Sequence, residues 1–354
     1  MKFLFFITGL CLSCPLWAQE NIEVTAAVPS KDDSIQSRYI KSFPDHFFIA
    51  PLLKQRRLDF EISDLPARNK RLIYKSNRPY SLGFAMYLFE VGLELTAAIP
   101  LDEKSKEIYG PSDARDIQLV LFTKKWGIDM YRQKYAGFYI DDPAVEVPDD
   151  EPYPQRPDIR TKNVGVTWSY IFNNKKFSLR AASNYAERQL KSAGSFVLFT
   201  SIGGFKTSGD SAILGDVYRD YYGVDSKIVQ IKSTALSIMP GYTYSFVYKG
   251  FFINATLAIG PAHNWLSYSA EDGSTTKDIE FRANFVGRVA LGYNGDRFLA
   301  GMSFASQTGN AKFDSVQLQS SRGTFKILFG YRFREVGFLK RRLADLPKVF
   351  GIGV

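Results

Sequence analysis

The chain has 354 residues, of which 45% are hydrophobic and 23% charged, with a formal net charge of +9 and a mean hydropathy of −0.16. That composition is too apolar for a disordered protein and long enough for one large or two ordinary domains. With His46 and His263 as its two histidines, the chain is a poor candidate for a multi-histidine metal site or for Ser–His or Cys–His nucleophile chemistry.

Residues 1–18 read as a secretory signal. Lys2 supplies the positive start, Phe3 to Leu12 the apolar run, and Leu16-Trp17-Ala18 a cleavage site before Gln19. The run is too short to cross a bilayer as a helix, which takes about 20 apolar residues. A retained anchor is one alternative. A lipoprotein through Cys11 or Cys14 is another, although neither cysteine follows the small-residue pattern that lipidation wants. Cleavage would remove both cysteines and Lys2, leaving no disulfide, thiolate nucleophile or cysteine metal site. A small basic excess on an exported chain suits anionic lipid head groups. Nucleic acid is a poor partner, because no basic, aromatic-interleaved helix or RNA-binding motif appears.

Residues 19–72 are expected to form an N-terminal periplasmic segment with one short helix. Ser30-Lys31-Asp32-Asp33 resembles a helix start, and Ile35, Tyr39, Ile40 and Phe43 then share a helical face before Pro44. Such a segment could plug a barrel, dock a partner or cap the barrel's end.

From residue 73 to 334 the pattern has period two, the signature of strands with one apolar and one polar face. In 251–260, Phe251, Ile253, Ala255, Leu257 and Ile259 alternate with Asn254, Thr256, Ala258 and Gly260. Comparable segments lie at 80–88, 90–99, 114–123, 126–136, 162–172, 176–188, 193–205, 232–248, 281–293, 297–308 and 324–333. A membrane-crossing tilted strand needs about 9–11 residues, and these are of that length. Turn signals such as Lys124-Lys125-Trp126-Gly127 and Asn294-Gly295-Asp296 separate them. Longer connections fall at 100–113, 137–160, 206–230 and 268–277.

The polar faces carry small residues and isolated charges, while Trp168, Tyr170 and Phe172 cap an apolar face like an interfacial girdle. The expected fold is therefore all-β, an antiparallel transmembrane β-barrel of about 12 strands, give or take two, closed so that no edge stays unpaired in lipid. A soluble sandwich or lipocalin-like barrel is the alternative. Counting back from 324–333 puts the Pro-rich 137–160 on the inner side, which is odd. A missed or invented strand, around 56–63 or within 206–230, would account for it. The tail, 335–354, holds Lys340, Arg341 and Arg342 among apolar residues and could lie on the inner leaflet.

A series of short motifs runs along the chain in order. Among them are Tyr39-Ile40-Lys41-Ser42-Phe43-Pro44, Ser76-Asn77, Gln133-Lys134-Tyr135-Ala136-Gly137-Phe138-Tyr139, Pro152-Tyr153-Pro154-Gln155-Arg156-Pro157, Lys191-Ser192-Ala193-Gly194-Ser195, Gly260-Pro261-Ala262-His263 and Gly330-Tyr331-Arg332-Phe333-Arg334. The series resembles an uncharacterised outer-membrane family, domain of unknown function 4421, of Bacteroidota-type bacteria. The resemblance implies a barrel in the outer membrane. The expected partners are outer-membrane lipid, the barrel-assembly machinery and, if the lumen is open, small solutes. It carries over no catalytic or ligand-binding residue.

By parity Glu94, Asp129, Arg180, Arg282, Arg288, Lys326 and Arg332 face the lumen, since Arg or Lys at mid-depth on the lipid face would cost about 2–4 kcal/mol. They form either a charge-selective eyelet or an ion-pair network that fills a small barrel. The expected role is non-catalytic, structural or a narrow solute pore, with no metal and no cofactor. One alternative is an adhesin or assembly partner using 137–160 and 206–230, with Tyr218, Tyr221 and Tyr222 as a contact patch. Another is a lipid hydrolase built on His263 with Ser267 and Ser269. Calcium at Asp141-Asp142 or Asp149-Asp150-Glu151 lacks an ordered ligand spacing.

Overall fold

The computed structural model describes residues 31–64, 71–88, 91–215, 227–313 and 316–337. The leader expected at 1–18, the basic residues at 340–342, and Tyr218, Tyr221 and Tyr222 lie outside them. In chain order the described elements are α1 (Lys31–Tyr39), β1 (Ile40–Ser42), β2 (His46–Asp64), β3 (Arg71–Lys75), β4 (Ser81–Leu88), β5 (Val91–Ala98), α2 (Glu103–Tyr109), β6 (Asp113–Phe122), β7 (Trp126–Asp141), β8 (Gln155–Ile171), α3 (Leu179–Ser183), β9 (Glu187–Gln189), β10 (Ala193–Ser208), β11 (Ile228–Tyr248), β12 (Phe251–Ala270), β13 (Thr275–Asn294), β14 (Phe298–Phe313) and β15 (Val316–Arg334).

Ten antiparallel strands close a ring in the order β15-β14-β13-β12-β11-β10-β8-β7-β3-β2, and β2 returns to β15 along almost its whole length. Arg334 pairs with His46, so both chain ends of the barrel emerge at one end, here the terminal end. Three further strands complete the wall there. β3 is short and joins β2 to β7 only at the far end, through Phe60–Ser63 and Tyr139–Asp141. Toward the terminal end β2 pairs instead with β4, β4 with β5, and β6 with β7. β5 and β6 share no hydrogen-bonded ladder, so the wall has a seam between them. α2 connects the ends of these two strands remote from the termini. Asp102 caps α2 by accepting from the Ser105 amide at 2.7 Å.

The apolar faces look outward. Phe196 and Phe281 are 70% exposed, and Leu95, Leu257, Ile253 and Phe246 also project from the wall. Their inward neighbours are polar and buried: Asn254, Thr256, Ser237 and Thr243. Inside, Ser201 bonds Ser237 and Thr243 bonds Thr256, each at 2.7 Å. A belt of this size facing water would far exceed the apolar patches that soluble proteins expose, and the inverted arrangement is that of a membrane-spanning barrel. The ring meets the other demand of lipid, a backbone whose polar groups are paired internally, everywhere except at the seam between β5 and β6.

Three features depart from expectation. The barrel begins at β2, not at residue 73. Pro51 and the run Lys54-Gln55-Arg56-Arg57 mask this strand, because proline is usually confined to edges or bulges and both faces of the run are polar. Pro51 points outward and is exposed. Residues 176–188 are not a wall strand. They form α3 and β9, with Leu179, Ala181, Ala182, Tyr185 and Ala186 buried among inward side chains. A segment inside the lumen draws hydrogen bonds from strand ends and inward side chains, so it needs no place in the ladder. Finally, 268–277 is a tight turn after Ala270 rather than a long connection. Removing one strand at 176–188 also puts the 142–154 connection at the same end as 209–227, which resolves the oddity in sidedness.

Candidate functional site

Buried apolar clusters occupy the lumen at both ends. At the terminal end the plug is the 173–192 segment with β1. Ser178 caps α3 by accepting from the Ala181 amide at 3.1 Å, and its hydroxyl donates to Glu187 at 2.5 Å. β9 pairs with β1, drawing residues 40–42 into the same layer. Arg332 fastens this plug to the wall. Its guanidinium donates to the Tyr185 carbonyl and to Asn294 Oδ1, each at 2.7 Å, and also to the Gly295 carbonyl. Asn294 in turn donates to the Ala181 and Glu187 carbonyls. The plug needs room at the wall, which Gly301 supplies: a Cβ there would lie 1.9 Å from the Tyr185 hydroxyl.

Below the plug, Lys41 and Arg188 both reach Asp296 in the β13–β14 turn, at 2.8 and 3.0 Å. The Lys41 hydrogen bond, with the charges of Lys41 and Arg188, holds the Asp296 carboxyl below its ordinary value of 3.8. The sign follows from that depression. These contacts stabilise the fold above the ordinary aspartate range and fade as pH falls through the depressed value.

At the far end, Phe60 stacks on Tyr74 at 4.4 Å, edge-on to Phe138, and Leu58, Tyr135, Phe205, Ile213 and Leu318 fill the remaining space. These residues come from β2, β3, β7, β10, β15 and the 209–215 segment. Arg156, clamped on Asp158 through both carboxylate oxygens at 2.8 Å, donates to the Ala212 and Ile213 carbonyls. The Tyr74 hydroxyl donates to the Ile213 carbonyl at 2.7 Å. The 209–215 segment is thereby tied across the barrel mouth.

Between the two plugs lies a cavity of about 660 Å³. Glu94 of β5 bridges Lys54 of β2 and Lys326 of β15, each at 2.5 Å. Asp129 accepts from Gln118 at 2.7 Å and from Arg322 at 3.3 Å. The Arg322 guanidinium also lies 3.5 Å from the centre of the Tyr131 ring, in a cation–π contact. That ring sits flat because its cross-strand neighbour is Gly165, where a Cβ would meet the Tyr131 hydroxyl at 2.5 Å. Arg78 reaches Asp116 at 3.6 Å. Arg56 donates to Gln118, a neutral partner. Arg288 has no ion pair or hydrogen bond among the described residues; the Phe199 ring, 5.1 Å away, is its neighbour.

The cavity lining thus holds six cations against three carboxylates. It also includes both faces of the seam strands, outward Leu93, Leu95, Ile117 and Leu119 as well as inward Glu94 and Gln118. The cavity thus reaches the outer face of two strands that do not pair with each other, at the seam in the wall.

Of the charges placed in the lumen by parity, Glu94, Asp129, Arg288 and Lys326 meet in this chamber. Arg282 also points inward but lies toward the far end, paired with Glu280 at 2.7 Å. Arg180 stands on α3, bound to Glu187 at 3.2 Å and to the Tyr87 hydroxyl at 2.6 Å, and so belongs to the plug with Arg332. Sequence reasoning missed Lys54, Arg56, Arg78, Asp116 and Arg322. Arg322 shares its parity with Lys326 and was legible on that ground; Lys54 and Arg56 were hidden with β2.

His263 projects outward between Trp265 and Phe281, with ring centres 4.4 and 4.7 Å away. Ser267 lies four residues further along the same strand face, about 13 Å at the rise of a strand, beyond reach of the imidazole. Asp141 is bound by Lys75, and Asp150 by Lys104 at 2.7 Å.

No curated protein matches the sequence. Among solved structures the chain is similar to Ail, the attachment invasion locus protein of Yersinia pestis, at 16% identity over 59% of this chain and 97% of that one, with a TM-score of 0.22. It is similar also to the translocator domain of autotransporter NalP from Neisseria meningitidis, at 9% identity over 83% and 90%, TM-score 0.31. The P. putida toluene transporter TodX matches at 7% identity over 83% and 91%, TM-score 0.24. The family model described as domain of unknown function (DUF4421) matches residues 31–333, and the chain belongs to that family.

Proposed function

We propose that this protein is an integral outer-membrane barrel without catalytic activity, whose lumen serves as a binding chamber for an anionic ligand with an apolar tail. The carrying observation is the chamber itself: an excess of cations, one of them Arg288 with no direct ion pair or hydrogen bond among the described residues, behind a seam with apolar lips. A carboxylate or phosphate entering there would find a charge-assisted donor that no group among the described residues hydrogen-bonds, while its tail rests against Leu95 and Ile117. The apolar clusters standing in the axial path at both ends favour entry from the side over a narrow axial pore. The absence of catalysis is supported by the setting of His263, which has aromatic rings rather than a nucleophile for neighbours.

Binding of cis-parinaric acid to the detergent-solubilised protein tests this reading, with the probe's methyl ester as the uncharged comparison. The acid should bind at least about tenfold more tightly than the ester, and Arg288→Gln should abolish that difference, since one hydrogen bond to a charged group contributes about 1.5–3 kcal/mol. Equal affinity for acid and ester, or an undiminished preference in Arg288→Gln, would refute it.

A further inference from the structure

The outer wall carries a charge pattern that the chamber does not explain. Four lysines on consecutive strands stand directly opposite one another: Lys134 of β7 pairs with Lys162 of β8, Lys162 with Lys206 of β10, and Lys206 with Lys232 of β11. Arg115 of β6 pairs with Lys134 and extends the row on one side. On the other, Lys232 pairs with Ser267 of β12, and Ser267 with Lys277 of β13. All lie on the outward parity, and none of the four lysines has an ion pair or hydrogen bond among the described residues.

Like charges directly opposite in a sheet destabilise it, so an uncompensated row of four calls for an outside counter-charge. Its height on the wall says where that charge comes from. Going toward the terminal end, the same outer face turns apolar within four residues of each central lysine, at Val164 from Lys162, Ile202 from Lys206 and Leu236 from Lys232. Going toward the far end it turns polar, at Arg160, Ser208 and Gln230. The row therefore marks the rim of the apolar belt, where lipid head groups sit. Strands are about 4.8 Å apart, so four lysines span about 14 Å. That is wider than one phosphate and suits two on a single head group.

We infer that this row is a binding site for a lipid whose head group carries two phosphates, held in the leaflet at the barrel's far end. The inference rests on the reading that the apolar belt spans a membrane. Contacts between ammonium groups and lipid phosphates replace the mutual repulsion of the lysines and fix the barrel's depth. Because each lysine acts as a point charge at an exposed surface, salt weakens the attraction.

The test uses the full barrel reconstituted in phosphatidylcholine vesicles containing diphosphoryl lipid A or its fully dephosphorylated counterpart, with co-purified lipid read by native mass spectrometry. Wild-type protein should retain the diphosphorylated lipid at least tenfold over the dephosphorylated one. The quadruple variant Lys134→Gln/Lys162→Gln/Lys206→Gln/Lys232→Gln should lose that preference, and the matching four-arginine variant should keep it. Should the quadruple glutamine variant fail to insert, Lys206→Glu is read by the same criterion. Equal retention of the two lipids by wild-type protein, or an intact preference in the glutamine variant, overturns the inference. So does displacement of the lipid by inorganic phosphate at equal phosphate concentration, which would assign the row to free anions. Tryptophan quenching by brominated acyl chains, recorded on the same vesicles, separates the cases. Retained quenching with no head-group preference removes the lysine site alone, whereas absent quenching removes the membrane reading beneath it.

Discussion

Replacing Arg332 with alanine is expected to lower stability by about 3–5 kcal/mol and to make a silent barrel leak. Arg332 is 3% exposed and donates to three acceptors that have little other recourse: Tyr185 O, Asn294 Oδ1 and Gly295 O. Its guanidinium also lies 4.1 Å from the centre of the Phe43 ring. Each buried acceptor left unpaired costs about 1–3 kcal/mol, and the lost side chain leaves a void beside Phe43. The damage falls on the junction between wall and plug, because Tyr185 belongs to the plug and Asn294 holds both. Urea unfolding in lipid vesicles should show an earlier midpoint, and planar bilayers should show current in Arg332→Ala where wild-type protein gives none. Arg332→Lys keeps the charge but not the fork of donors and should fall between the two. An unshifted midpoint together with silent bilayers would mean that the plug is held by something else.

Glu94→Gln should have the second largest effect, about 2–3 kcal/mol, with a local signature. Glu94 is the link across the lumen that ties β5 to Lys54 of β2 and Lys326 of β15. Breaking a buried ion pair from one side costs about 3–5 kcal/mol. The chamber leaves Glu94 28% and Lys326 23% exposed, and solvent screening reduces that figure. β5 has a ladder on one side only, to β4, so losing this tie should free it and widen the seam. Hydrogen exchange in residues 92–98 should accelerate while β12 and β13 stay protected. Two unpaired ammonium groups should also draw the anionic probe more strongly. Uniform acceleration around the ring, or none, would contradict the role given to Glu94.

The stretch from β10 to β15 was legible in the sequence because lipid imposes a strict rule on the terminal-end part of each of these long strands: one face apolar, the next small and polar. The rule weakens wherever both sides of the wall are polar. β2 carries Lys54 and Arg56 toward the chamber and Gln55 and Arg57 outward just where it changes partner from β4 to β3, so its middle has no apolar face to read. The 176–188 stretch fails for the opposite reason. It is apolar enough to look like a strand, yet its apolar side chains serve a lumen plug, and α3 is too short at five residues to show a helical period. The chamber was half legible. Parity points Glu94, Asp129, Arg288 and Lys326 inward, but parity alone cannot say that Arg332, with the same orientation, meets a plug at a different height. Nor can it show that β5 and β6 fail to pair, since register belongs to the ring and not to either strand.

The central claim is the direction of the apolar face, and the chain carries its own probes for it. Trp126, Trp168 and Trp265 all project outward, 52%, 40% and 43% exposed. Fluorescence of the protein reconstituted in vesicles of brominated phosphatidylcholine measures whether those indoles touch acyl chains. Strong quenching relative to unbrominated vesicles is the predicted result. Unquenched emission, from indoles enclosed within the protein, would contradict the barrel's orientation and everything built on it.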